Sequence, residues 1–414
     1  MRDVLEKTAN ELQIDRSGWK LVKFGDVAIQ QKESVDRENT TITRYVKGEH
    51  MYSEDLHLRE WGDLEDEYLG PAFIRKFEEG DILYGSRRTY LRKVTIAPFE
   101  GITSNTTFVI KANEKFIDKK LLPFLMLSEG FSEHSIRNSK GSVNPYVNWK
   151  DLANYEFLLP PKRQQAQLAE LLWAMDEVVN NGTKSINNCR SLYKSKREHS
   201  NFTIDKNADL IYNNRLKSQV SKTIQYRRLE DVLLNIKYGT SKKGNSEGRG
   251  YKVIGIPNVI NEKLTIDKCA HVELNDKEYE ACKLHFGDIV IVRTNGNPKY
   301  TGRSALYDVD GEHAFASYLI KVTVDKKIYN PEYLVRYLQT NMIRRYFRRN
   351  ATSTAGNYNI NTEIIKNVPV PILPLSKQNE VLLKLREIEE RYTRLLEYLK
   401  NSKTLQKSLI NQVF

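Results

Sequence analysis

Two stretches of polar and basic residues have the chemistry to meet the base edges and phosphates of a nucleic acid. The first is Ser86, Arg87, Arg88, Thr89 and Tyr90, preceded by Gly80-Asp81-Ile82-Leu83. The second is Arg293, Thr294, Asn295, Gly296, Asn297, Pro298, Lys299 and Tyr300, preceded by Gly287-Asp288-Ile289-Val290. Arginine pairs bidentately with guanine and asparagine with adenine, while Ser, Thr and Lys hold phosphates. A further polar loop carries Asn138, Lys140, Ser142 and Asn144, and it too has a later counterpart with Thr352, Asn357 and Tyr358. Lys242 and Lys243 add positive charge, and Arg345 and Arg348 belong to a run of four arginines on a helical pattern that suits a phosphate-facing edge. Any one of these loops could be an ordinary solvated turn, but their recurrence at matching places favours a shared ligand.

Catalytic chemistry is not legible. There is no G-x-x-x-x-G-K-[ST] phosphate loop and no glycine-rich cofactor turn. Asn144-Pro145-Tyr146 only faintly echoes the loop of amino-methyltransferases, and Asp118-Lys119-Lys120 is a tripeptide expected by chance at 29% charged residues. Seven scattered histidines suggest no triad. Cys269, His271, Cys282 and His285 lack finger spacing and recur nowhere in the first copy, so no metal is expected. The chain is expected to be non-catalytic.

Composition narrows the ligand. Sixty-five Lys and Arg against 53 Asp and Glu give a net charge of +12, and 10% aromatics indicate a globular rather than a tail-like basic protein. A polyanion, most simply double-stranded DNA, suits that balance. Three cysteines without a C-x-x-C, no signal-like start and no long apolar run predict a reducing, cytoplasmic setting and no membrane partner.

The elements that must position these loops are duplicated. Gly80-Asp81 recurs as Gly287-Asp288, and Leu159-Pro160-Pro161-Lys162-Arg163-Gln164 recurs as Leu373-Pro374-Leu375-Ser376-Lys377-Gln378, both about 210 residues apart. Short β-branched and aromatic runs between Gly, Asn and Pro, with a helix at Leu121–Phe131 and another at Pro331–Arg348, predict an α+β domain in each copy. After each proline landmark an apolar stripe recurs at threes and fours. In the first it runs through Leu168, Leu171, Met175, Val178 and Ile186; in the second, through Leu385, Ile388, Tyr392, Leu395 and Leu399. Two such helices would pack on each other as an antiparallel coiled coil. The predicted division is a helical segment at 1–17, a first domain at 18–160, a helical spacer at 161–202, a connector at 203–224, a second domain at 225–373 and a last helical spacer at 374–414.

The order of these pieces resembles the specificity subunit of type I restriction–modification enzymes. The resemblance is carried by Tyr238-Gly239-Thr240-Ser241-Lys242-Lys243, Gly287 to Gly296, Gly302-Arg303-Ser304-Ala305 and the two proline–glutamine helix entries. It implies two target recognition domains, α/β-mixed and related by an approximate twofold, each reading one half of a split, asymmetric DNA target. The helices would set the gap and dock two methyltransferase and two motor-endonuclease subunits. S-adenosylmethionine, ATP and magnesium would belong to those partners, with no cofactor in this chain. Two other readings fit the same residues: an orphan specificity-like protein that occupies methyltransferases and blocks restriction, and a single-chain DNA methyltransferase or nuclease.

Overall fold

The repeated Gly-Asp pair is a turn that only this dipeptide closes well. Gly80 and Gly287 sit at φ +87° and +94°, in the left-handed region that glycine enters without steric penalty. The carboxylate that follows accepts the backbone N–H three residues back: Asp81 from Glu78 and Asp288 from His285, both at 2.8 Å. Burial pushes the Asp81 carboxyl above its usual range, and the Glu78 N–H and Lys111 oppose that shift. Each turn launches a strand of continuous apolar residues, Ile82–Gly85 or Ile289–Val292, into the centre of a four-stranded antiparallel sheet.

The computed structural model describes residues 14–36, 39–66, 68–199, 209–260, 263–354 and 356–414. It divides into two units, Met1–Ile186 with Leu395–Phe414, and Asn187–Arg394. In the first, the central sheet runs Ala28–Gln31, Thr107–Ala112, Ile82–Gly85, Val94–Ile96; in the second, Leu233–Tyr238, Leu319–Val324, Ile289–Val292, Ser304–Leu306. A smaller sheet repeats as well. Arg44–Val46 runs parallel to Gly101–Ser104, as Tyr251–Ile254 runs parallel to His313–Phe315. An antiparallel pair closes each domain, Lys20–Lys23 with Glu156–Leu159 and Gln225–Arg228 with Pro369–Ile372. The α+β duplication is therefore present in the central sheet, the parallel pair and the closing pair.

The segment read as helical in each copy, Leu121–Phe131 or Pro331–Arg348, is divided between two helices. Leu122–Leu127 and Glu129–Arg137 are separated by Ser128, whose hydroxyl caps Phe131 N–H at 3.3 Å. Pro331–Leu338 and Asn341–Asn350 are separated likewise at Thr340, which caps Ile343 N–H at 3.4 Å. An extended residue with an acceptor side chain stops one helix and starts the next. The stretch read as a connector, 203–224, contains a hairpin, Leu210–Asn213 with Ser218–Ser221. Most of the segment expected as a first helix, residues 1–13, lies outside the described residues.

Gly239, one of the residues carrying the family resemblance, is needed for close approach. A Cβ there would stand 2.1 Å from the Phe315 carbonyl oxygen and 2.6 Å from the Ala316 carbonyl carbon. Backbone cannot swing aside, so Gly239→Ala is expected to cost about 2–3 kcal/mol, read as a fall in the urea midpoint without change of slope.

Two long helices, Lys162–His199 and Leu375–Val413, follow the closing pairs. Each lends its first part to one unit and its last part to the other. Within the first unit the two parts run antiparallel, with Asp176 against Gln406 at 3.0 Å and Gly182 beside Leu399. Within the second, Cys189 Sγ approaches the Ile388 carbonyl at 3.6 Å. The expected antiparallel pairing is present, but its register on the first helix needs correction. Leu168 and Ile186 are buried and Met175 half-buried, whereas Leu171 and Val178 are 39% and 36% exposed. The seam passes through Leu168, Leu172, Asp176, Val179, Gly182, Ile186 and Cys189, steps of three and four that place Leu171 and Val178 about 100° to one side. On the last helix Leu385 is buried and Ile388, Tyr392, Leu395 and Leu399 are half-buried, as their spacing predicts.

Two carboxylates on the seam helices, Asp176 buried and Glu389 half-buried, are met from the domains. His57 Nε2 lies 2.6 Å from Asp176 Oδ2 in the first unit. At the matching position of the second, Glu389 takes both terminal nitrogens of Arg336 at 2.5 and 2.9 Å, and Arg336 also reaches Tyr193 Oη at 2.8 Å. No helix among the described residues is long and apolar enough to cross a membrane.

Candidate nucleic-acid interface

In each unit the strand after the Gly-Asp turn runs on into a ribbon of three antiparallel segments from loops far apart in sequence, joined by single bridges in the first unit and by paired strands in the second. In the first unit Arg87 pairs antiparallel with Tyr146, and Tyr146 with Lys140. In the second, Thr294–Asn295 pairs with Asn357–Asn359, which pairs with Thr352–Thr354. One bond anchors each ribbon to its core: Val147 N–H donates to the Ser86 carbonyl at 2.9 Å, and Ile360 N–H to the Arg293 carbonyl at 2.8 Å. Val147 and Ile360 are both 1% exposed.

These anchors make Ser86 the counterpart of Arg293, and Arg87 the counterpart of Thr294. Matching the loops by arginine alone would pair Arg87 with Arg293, one position out. Arg87, Arg88, Lys140, Ser142 and Asn144 are exposed, as is Tyr90. Arg88 holds a left-handed backbone at φ +50°, unusual for a residue with a side chain, and its N–H donates to the Pro145 carbonyl at 2.6 Å. Ser86 is not a surface contact: it is buried and its hydroxyl donates to the Thr106 carbonyl at 2.5 Å. Its type suited a phosphate, but its hydroxyl is already taken by the Thr106 carbonyl just past the strand end. Asn138 is half-buried and its amide donates to the His134 carbonyl at 2.9 Å.

In the second unit Arg293 is half-buried, with its guanidinium over the Tyr238 ring at 5.1 Å and Nη1 at 3.5 Å from the Ser317 carbonyl. Asn295 accepts the Asn297 N–H, and Asn297 the Lys299 N–H, both at 2.9 Å, so these side-chain oxygens shape the loop. Tyr300 lies under the Arg303 guanidinium at 3.8 Å. Thr352 and Asn357 are exposed and Tyr358 half-buried. Lys242 is ion-paired with Glu278 at 2.6 Å, and Lys243 is exposed. On the helix Asn341–Asn350, Arg345 and Arg348 are exposed, while Arg344 and Arg349 donate to the Lys299 and Leu216 carbonyls. The last-turn arginines also complement the helix dipole, a structural role that needs no ligand.

Sequence reading missed Tyr146 and Asn359, the central residues of the two ribbons. The signal was the polar residue before a buried Val147 or Ile360. The ribbons differ in chemistry: Arg87, Tyr146 and Lys140 in the first, Thr294, Asn359 and Thr352 in the second. The second unit's cysteines have separate local contacts, Cys269 with the Ile266 carbonyl and Cys282 with that of Glu278.

A family model described as type I restriction modification DNA specificity domain matches residues 16–188 and again 221–403. The EcoDI specificity subunit of Escherichia coli is 27% identical over 222 residues, which span 49% of this chain and 47% of that protein, about half its length. The MjaVIII specificity subunit of Methanocaldococcus jannaschii is 22% identical over 404 residues, covering 90% of this chain and 86% of the relative. A chain from a structure titled for complex assembly and conformational transition of the type I R-M system superposes with a TM-score of 0.60 at 18% identity, covering 96% of this chain and 97% of its own. That likeness extends to the fold.

Proposed function

Because the chain belongs to the type I restriction modification DNA specificity family, with two such domains filling most of its length, we propose that it reads a bipartite, asymmetric DNA target, one half-site per ribbon. The observation that carries this reading is the recurrence of one anchored three-stranded ribbon with different side chains on it. Equal scaffolds with unequal chemistry suit two half-sites of unequal sequence. A cationic ribbon with Arg87 suits guanine, and a ribbon of amides and hydroxyls suits adenine and phosphate.

On this reading the chain performs no bond-making step. Methyltransferase and motor-endonuclease subunits dock on it, and S-adenosylmethionine, ATP and magnesium are theirs. The proposed contacts are Arg87, Arg88, Tyr90, Lys140, Ser142 and Asn144 in the first domain. In the second they are Asn295, Asn297, Lys299, Tyr300, Thr352, Asn357 and Tyr358, with Lys243, Arg345 and Arg348 on phosphates.

Substitution separates the roles. Arg87→Ala is expected to cost about 1–3 kcal/mol on the preferred duplex and to relax discrimination at one half-site. Arg345→Ala or Arg348→Ala should weaken all duplexes alike and flatten the salt dependence. Equal losses for Arg87→Ala on preferred and random duplexes, measured by fluorescence anisotropy at fixed salt, would remove the base-reading role.

A further inference from the structure

Beside the first ribbon lies a pocket of about 380 Å³, within the range that small-molecule sites occupy. Phe108 and Trp149, edge to face at 6.0 Å, form part of its wall. Gln30 also lines it, and its amide oxygen is buried without a hydrogen-bond partner. Lys32 and Arg87, both exposed, stand at the same pocket.

The second domain fills the corresponding space from within. Arg293 stands at the position of Ser86, with its guanidinium over Tyr238 and reaching the Ser317 carbonyl. Strand register places Tyr238 and Ser317 where Lys32 and Asn105 line the pocket of the first domain. The same scaffold thus holds a planar nitrogen-rich group in one copy and a pocket in the other. A second guanidinium does not suit the first copy, because Lys32 and Arg87 would repel it. A neutral planar group attached to an anion does suit it.

We propose that this pocket receives one nucleobase extruded from the duplex, lying against Phe108 and Trp149 with an amino group towards Gln30 and its phosphate on Lys32 and Arg87. Extrusion is paid for by unstacking and unpairing, least for a base already mismatched. This proposal rests on the DNA reading above, and the experiment keeps the two apart.

Duplexes preferred by the full chain are selected from a randomised pool. Single mismatches are then introduced by altering the opposite strand at each position of the half-site that depends on Arg87. At one position the mismatch should tighten binding roughly tenfold, since the protein no longer supplies the unpairing energy. The gain should vanish in the double variant Lys32→Tyr, Ser86→Arg, which fills the pocket as the second domain fills its own, and should shrink in Gln30→Leu if the double variant fails to fold. Selective duplex binding with no mismatch gain at any position would overturn the pocket and leave the DNA reading standing. No selective binding at all would overturn both. Loss of methyltransferase co-purification in the double variant, with duplex binding unchanged, would make the occupant a protein side chain and overturn the base.

Discussion

Gln378→Leu is expected to destabilise the second unit by about 3–5 kcal/mol, a large share of the ~5–15 kcal/mol that holds an ordinary domain folded. The side chain is fully buried where the last helix begins. Its amide oxygen accepts the Asn330 N–H at 2.8 Å, and its nitrogen donates to the Ile328 and Leu373 carbonyls at 3.1 and 2.8 Å. Leucine fills similar space and satisfies none of the three groups, each a buried loss of about 1–3 kcal/mol before relaxation. Gln165 repeats the arrangement with Asp118 N–H and the Phe116 and Pro160 carbonyls, so Gln165→Leu should do the same to the first unit. Lys377→Ala, one residue away and exposed, should stay within about 0.5 kcal/mol. Urea unfolding followed by far-UV circular dichroism reads all three, since Trp19, Trp61, Trp149 and Trp173 all lie in the first unit. A Gln378→Leu midpoint equal to wild type would mean that the glutamine is not a structural clamp.

Exchange of residues 18–158 for the corresponding domain of another family member should change one methylated half-site completely and leave the other intact. The first domain has its own sheets and core cluster, which supports that independence. The seam adds a condition. Asp176 is 5% exposed and answers to His57, while Glu129 meets Lys407 of the last helix at 2.9 Å. A donor domain without a partner for Asp176 strands a buried carboxylate, which destabilises strongly. Chimeras that keep His57 and Glu129 should assemble with methyltransferase subunits and retarget; those that lose both should be poorly soluble. Mapping methylated adenines checks the outcome, and loss at both half-sites in a soluble, assembled chimera would refute independent readers.

Much of this fold is legible in the residues because its landmarks are local. Gly-Asp turns and proline-to-glutamine helix entries each need a particular backbone or donor set, so they recur and can be matched. The Gly-Asp landmarks already place Arg293 opposite Ser86, and distant hydrogen bonds such as Ile360 to Arg293 hold that register. Seam register shows where the reading failed. Asp176 and Gly182 occupy places that an apolar pattern assigns to Leu or Val, since His57 and Gln406 satisfy the carboxylate and Leu399 packs against the glycine. The parallel pairing of Arg44–Val46 with Gly101–Ser104 leaves no periodic trace in either strand. Nor does the pocket, whose lining is gathered from four separated stretches.

The division of the long helices between the units matters most on the ribosome. Domains ordinarily fold in the order they are made, amino-terminal first. Here the core of the first unit includes Leu409, Ile410 and Val413. At about 5–20 residues per second, those side chains emerge roughly 10–40 s after Ile186. Until then Leu168, Ala169 and Leu172 of the same core lack their facing residues, and the newborn domain must wait, partly open, for side chains made more than two hundred residues later.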